Sequence, residues 1–178
     1  YKISALWGGM AGSMLFWAMI LSVFMIASAW SFRRTMPGLL PVGTAVMASV
    51  HMFFLFLLNW ITPPFAPMVE HVAEGNGLNP LLQNYWMSIH PPMLYIGYIG
   101  FTVPFAFAIS ALWNRRTDAL WITVTRRWTL FSWFVLGTGV LMGGYWAYLE
   151  LGWGGYWAWD PVENASLIPW LTGAAFIH

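Results

Sequence analysis

Trp153, Gly154, Gly155, Tyr156, Trp157, Ala158, Trp159, Asp160, Pro161, Val162, Glu163, Asn164 and Ala165 bring three tryptophans, a tyrosine and two carboxylates together between two segments apolar enough to cross a membrane. The stretch has flat faces for stacking and a turn to hold them, with almost no hydrogen-bonding side chain suited to a small polar substrate. It reads as a platform for a large planar ligand. Gly154 and Gly155 let the backbone lie close to such a ligand. Asp160, Pro161 and Glu163 spell a capping box with proline at the first helical position, in which Asp160 accepts from the third helical N–H and Glu163 reaches back. Both acids are structural in this reading. The competing reading of Trp153, Trp157 and Trp159 is the aromatic belt of ordinary membrane interfaces, which Trp170 fits. Three tryptophans so close together and tied to a rigid cap weaken that alternative.

Working outward, the setting is a membrane. Hydrophobic residues make up 60% of the chain and charged ones 7%, against roughly 45–50% and about 25% in soluble domains. The run starts at Tyr1 and stops at His178 inside an apolar stretch, so a segment of a longer polypeptide is expected. No cysteine is present, which excludes disulfides, thiolate metal sites and a cysteine nucleophile from this segment.

Apolar segments run over 12–32, 41–61, 92–113 and 128–149, each close to the ~20 residues a spanning helix needs, and a fifth begins near Ala165 and is cut off at His178. The fold class is therefore all-α: a polytopic membrane helix bundle of about five transmembrane helices with two functional outer loops. The arginines sit at Arg33 and Arg34, and again at Arg115, Arg116, Arg126 and Arg127. Two crossings separate those loops, so they share one side, and by the positive-inside rule that side is cytoplasmic. The loops 62–91 and 150–164 then lie outside. They hold Glu70, Glu74, Glu150, Asp160 and Glu163 without a lysine or arginine, and an external or periplasmic working face follows. Residues 1–178 read as one membrane domain. Gly8/Gly12 and Gly139/Gly143 are small-xxx-small pairs suited to close helix packing, and Pro104 and Pro169 are kinks that neighbouring helices accommodate.

In the first outer loop, Leu81, Leu82, Tyr85, Trp86 and Ile89 line one face of a short helix from Pro80, the other side of which carries Gln83, Asn84 and Ser88. This predicts an interfacial helix lying on the outer leaflet and ending at His90, after which Pro92 starts the third span. Rigid backbone on one side of His90 and an anchored helix on the other suit a metal ligand, since imidazole suits iron; the alternative is a histidine that only satisfies helix-end groups. His178 lies inside the membrane, near mid-bilayer by helical rise, where an ionisable residue is a functional candidate, either a heme ligand or a proton relay. His51 is equally deep and has no motif around it beyond a possible buried hydrogen bond, and His71 has no assigned role.

The 153–166 string resembles the tryptophan-rich WWD signature of heme-handling cytochrome c assembly proteins. The block Leu78, Asn79, Pro80, Leu81, Leu82, Gln83, His90, Pro91, Pro92, Leu94, Tyr95, Gly97, Tyr98, Gly100 and Phe101 is similar to the CcmF/NrfE-type heme lyase subunits within that family, and Tyr148, Glu150, Leu151 and Gly152 extend the match. Tyr156 and Ala158 stand where bulkier aromatics are common, which suggests a slightly different platform.

The resemblance implies a cytochrome c biogenesis function at a bacterial-type inner membrane. Heme would be accepted from a periplasmic heme chaperone and, with thioredoxin-like and scaffold subunits presenting apocytochrome c, attached to the cysteines of a CxxCH motif. It implies that His90 ligates the incoming substrate heme, that His178 ligates a membrane heme b, and that Trp153, Tyr156, Trp157 and Trp159 form the heme-stacking surface. No side-chain nucleophile is expected, because the substrate supplies its own thiols, and no nucleic-acid partner is expected. Two alternatives stay open: a CcmC-like protein that loads the chaperone, and a b-type electron-transfer subunit in which the tryptophans are belt residues.

Overall fold

The computed structural model describes residues 2–66, 75, 77–116 and 118–178. Glu70, His71 and Glu74 lie outside the described residues. Among the described residues every regular element is helical: α1 (Met10–Phe32), α2 (Leu40–Phe56) continuing into a π turn (Leu57–Ile61), α3 (Tyr85–Gly100), α4 (Thr102–Trp113), α5 (Leu120–Glu150) and α6 (Pro161–Ile177), with single 3-10 turns at Ser4–Leu6 and Pro80–Leu82. Four stretches are long and apolar enough to cross a membrane, Met10–Phe32, Leu40–Ile61, Tyr85–Trp113 and Leu120–Glu150, and α6 adds 17 residues. The polytopic helical bundle expected from the apolar segments is present.

The third span starts earlier than its prolines suggested. Leu81 and Leu82 form only the 3-10 turn, and the apolar period from Leu81 to Ile89 breaks at Asn84, whose side chain accepts from the Trp86 N–H at 2.7 Å and caps α3. From there α3 runs through His90, Pro91 and Pro92 without a stop. This corrects the interfacial helix ending at His90. Asparagine is a strong N-cap, whereas a proline pair inside a span is tolerated where neighbouring helices support the backbone. His90 consequently sits in the second turn of a membrane helix and not at a helix end. The true break comes at Phe101, where the N–H bonds back to Tyr98 O at 3.1 Å just before Pro104, which has no N–H to offer the Gly100 carbonyl.

At the other end, α5 begins at Leu120, with Asp118 Oδ1 accepting from the Leu120 N–H at 3.0 Å. Arg126 and Arg127 therefore lie on the helix itself and not in the preceding loop, and their long stems allow the charged heads to reach the membrane surface.

Two packing modes hold the bundle. Leu21, Phe32, Met47, Ile99, Val103 and Phe107 form a buried core among α1, α2, α3 and α4, in which Phe32 meets Phe107 edge-on at 4.6 Å. The α3–α5 contact is instead made close at the glycines, backbone to backbone at Gly97 and Gly139 and backbone to side chain at Gly100 and Gly143. A Cβ added at Gly97 would lie 2.6 Å from the Leu136 Cα, one at Gly100 would strike the Ser132 hydroxyl, one at Gly139 would lie 2.9 Å from the Leu94 N, and one at Gly143 would lie 3.3 Å from His90 Cδ2. Glycine thus recurs along the seam, and close packing is the role of Gly139 and Gly143. The Gly8/Gly12 pair is used differently: an added Cβ at Gly12 would collide with the Leu6 carbonyl of the N-terminal turn. Because backbone cannot yield as a side-chain tip does, Gly97→Ala should destabilise the protein by about 1–3 kcal/mol. Thermal unfolding in detergent checks this, and a wild-type midpoint would contradict the seam.

Candidate functional site

Loop 151–160 joins α5 to α6, and its shape follows from three left-handed residues. Gly152 and Gly154 have φ of 67° and 72°, which glycine accepts freely. Trp159, at φ 60°, does not; a left-handed conformation costs a residue with a Cβ roughly 1–2 kcal/mol. Three side chains from the first turn of α6 stand around it. Asp160 Oδ1 accepts from the Glu163 N–H at 2.7 Å, as the cap predicted. Glu163 Oε2 accepts from the Ala158 N–H at 2.7 Å, and Asn164 Nδ2 donates to the Trp159 carbonyl at 3.0 Å. The expected return of Glu163 to the cap residue is thus replaced by a longer reach into the tryptophan loop.

The loop aromatics divide into groups. Trp157 is half-buried and meets Trp159 edge-on at 6.0 Å, while Trp159 is 68% exposed. Tyr156 stacks on Tyr148 at 4.6 Å with an interplanar angle of 12°. Trp153 folds over its own loop, so that a Cβ at Gly155 would lie 2.6 Å from its ring. Trp157 borders two spaces. One is a cavity of about 130 Å³ shared with His90, Gly143, Trp146, Glu163 and Ser166. The other is an apolar groove of about 440 Å³ lined by Trp157, Trp159, Trp170, Val140 and Leu167. Ligand pockets generally run about 300–1,000 Å³, so the groove has the size for a planar ligand and the smaller cavity does not. Trp170 is a wall of that groove and not only a belt residue: it stacks on Trp133 at 5.4 Å and 9°, and its carbonyl accepts from Trp133 Nε1 at 3.1 Å.

His90 is 7% exposed. Its Nδ1 lies 3.1 Å from the Trp86 carbonyl, an acceptor, so Nδ1 carries the proton and Nε2 is left with its lone pair. His178 has the same arrangement, Nδ1 at 2.9 Å from the Ala174 carbonyl, on an exposed ring at the far end of α6. It is not brought near the loop. α6 begins at Pro161 and gives about 25 Å of rise, and the Phe176 ring lies against Trp121, one residue into α5. That places His178 in the arginine-bearing half of the bundle, deeper than the mid-bilayer position expected when the helix was counted from the later apolar residues. His51 differs from both. Ser22 Oγ donates to the Ala18 carbonyl at 2.9 Å, so the 3.0 Å contact between Ser22 Oγ and His51 Nε2 must use the imidazole proton. Its Nε2 is occupied in a helix–helix hydrogen bond.

The model of the cytochrome C assembly protein family matches residues 7–178. The chain belongs to that family. It is 49% identical over 179 residues to the cytochrome c-type biogenesis protein CcmF of Pseudomonas aeruginosa. It is 50% identical over 179 residues to CycK of Rhizobium meliloti, and 42% identical over 178 residues to NrfE of Haemophilus influenzae. Each alignment covers 100% of this chain but 27%, 26% and 28% of the respective relative. The chain spans about a quarter of the length of these curated relatives. No solved structure is significantly similar to it.

Among the described residues no group of three or more His, Asp or Glu side chains converges as a metal cage, whereas His90 and His178 each offer a single Nε2 with Nδ1 locked on a carbonyl. A tautomer fixed by an outer hydrogen bond leaves the free nitrogen of each ring as a ready donor.

Sequence reasoning missed the struts of this site. Asn84 Nδ2 donates to Glu150 Oε1 at 2.5 Å and Trp146 Nε1 to the Leu81 carbonyl at 3.2 Å, tying the start of α3 to the end of α5. Neither pair has a local signature, since 66 and 65 residues separate the partners. Trp170 had one: with Glu163 and Ser166 it follows the three- and four-residue spacing of a single helix face.

Proposed function

We propose that the full-length protein acts in cytochrome c biogenesis as a heme lyase subunit of the inner membrane. Heme, the substrate, arrives from a periplasmic heme chaperone and stacks against Trp153, Tyr156, Trp157 and Trp159, with His90 as ligand to its iron. Thioredoxin-like and scaffold subunits present the apocytochrome, and the heme is attached to the two cysteines of its CxxCH motif. The observation that carries this reading is that Trp157 borders both the His90 cavity and the apolar groove, so an iron ligand and a stacking wall meet at one side chain. The identity to relatives named CcmF, CycK and NrfE favours attachment over a CcmC-like chaperone-loading role.

The chemistry asks little of side chains as reactants. Each cysteine thiol of the apocytochrome adds its S–H across a heme vinyl double bond, so no leaving group departs. The protein's task is to orient the vinyl edge toward the thiols and exclude water. Trp157 and Trp159 serve both needs, one as a half-buried wall and the other as an exposed face. His178 would hold the membrane heme b through Nε2. That group, when bound, would relay single electrons from an external reductant toward the substrate heme.

The tryptophan platform is tested against the interface belt by substitution. A stacked aromatic contributes about 0.5–1.5 kcal/mol beyond its buried area, so Trp157→Ala and Trp159→Ala should each weaken heme capture per folded molecule by several-fold. Phenylalanine at either position should recover most of the loss, because a flat face survives. Belt residues would instead lower insertion or stability and leave capture alone. Equal capture by wild type and the double alanine variant would remove the platform.

A further inference from the structure

We propose that Glu163 and Asn164 are positioning residues that hold Trp159 in its left-handed conformation, and so keep the indoles of Trp157 and Trp159 on the groove; the proposal rests on the reading of this loop as a heme platform. Its ground is the pairing of an unfavourable backbone with two ties placed on either side of it. Tryptophan has no intrinsic reason to adopt φ 60°. Surrounding structure must impose that conformation.

The ties have the right placement. Glu163 Oε2 takes the Ala158 N–H at 2.7 Å, fixing the chain just before Trp159, and Asn164 Nδ2 holds the Trp159 carbonyl at 3.0 Å, fixing the chain just after it. Both side chains are half-buried, although the two bonds themselves face an exposed part of the loop. The bond to Glu163 is charge-assisted, the stronger class.

Neither side chain is needed to finish the helix end. Asp160 already accepts the Glu163 N–H at 2.7 Å, and the Asn164 N–H bonds to the Asp160 carbonyl at 3.0 Å, so α6 keeps its cap when the two side chains are removed. In an ordinary capping box the glutamate returns to the cap residue's own N–H. Here it reaches two residues further upstream, into the segment that carries the indoles. Released from these ties, Trp159 relaxes toward right-handed or extended backbone and its ring leaves the groove it shares with Trp157 and Trp170.

Ferric heme titrated into the purified full-length protein in nanodiscs, with hydrogen exchange followed across 153–160, tests the assignment. Loss of one charge-assisted bond predicts that Glu163→Ala weakens heme binding about fivefold to tenfold, while Glu163→Gln, which keeps an acceptor oxygen, stays within about twofold of wild type. Asn164→Asp, which loses the donor but keeps the shape, should match the alanine variant. The Ala158 amide should exchange faster in Glu163→Ala and not in Glu163→Gln. If Glu163 acts only through the loop, adding Glu163→Ala to Trp159→Ala should cost nothing further. Weakened binding by Trp159→Ala with wild-type binding by both Glu163→Ala and Asn164→Asp overturns the clamp and leaves the platform standing. Wild-type binding by Trp159→Ala overturns the clamp, and wild-type binding by the Trp157→Ala/Trp159→Ala double variant overturns the platform with it. Should Glu163→Ala fail to fold, Asn164→Asp carries the same test with Glu163 and the Asp160 cap intact.

Discussion

His90→Ala in the full-length protein is expected to bring cytochrome c maturation down to background while the membrane heme stays bound. The effect should be large because, among the described residues, His90 is the imidazole that shares a cavity with Trp157, and misplacing a reacting group by even 1 Å can cost about a hundredfold. His90 and His178 stand at opposite ends of the bundle, so losing one leaves the other's surroundings untouched. The His90 ring packs against Gly143 and lies 5.5 Å from the Trp146 ring, so the alanine variant leaves a ring-sized space. Exogenous imidazole can occupy that space, and it should restore part of the activity if ligation is the role. Maturation at the wild-type rate, or a loss that imidazole leaves unchanged in a variant that folds normally, would remove His90 from the ligand set.

His178→Ala should abolish the reduced b-type absorption of the purified full-length protein while leaving insertion and expression intact. The reasoning is local. The ring is exposed and its hydrogen bond goes to a carbonyl within its own helix, so its removal costs the bundle little. A heme held through His178 Nε2 would, by contrast, lose that ligand. An unchanged reduced spectrum with normal heme content would assign the membrane heme to other residues.

The parts of the molecule legible in the sequence are those set by local chemistry. Apolar runs near the length of a bilayer gave the spans, and Asp160 before Pro161 gave the start of α6 with its cap bond. What escaped was set by competition or by distance. At Asn84, a capping side chain overrode an apolar period that continued through it. At Pro91 and Pro92, a signal that stops helices in water carried less weight inside a bundle. The depth of His178 shifted because the cap, not the first apolar residue, sets where the helical rise begins. The destination of the Glu163 carboxylate was invisible because the left-handed turn at Trp159, which no local motif announces, goes together with the bond to the Ala158 N–H. Asn84 with Glu150 and Trp146 with Leu81 are long-range pairs that only the fold brings together.

The glycine seam between α3 and α5 also bears on how the protein meets the changing thickness of its bilayer. Spanning helices answer thickness mismatch by tilting, and pairs joined through long side chains can slide past each other as they do. Here Gly97, Gly139 and Gly143 set one backbone directly against the other element, and Asn84 and Trp146 latch the ends on one side. The two helices must tilt as one body. The span from the His90 imidazole to the root of the tryptophan loop then behaves as a fixed gauge, the same in a thin membrane as in a thick one, and adaptation to a bulky guest falls to loop 151–160 and to α6.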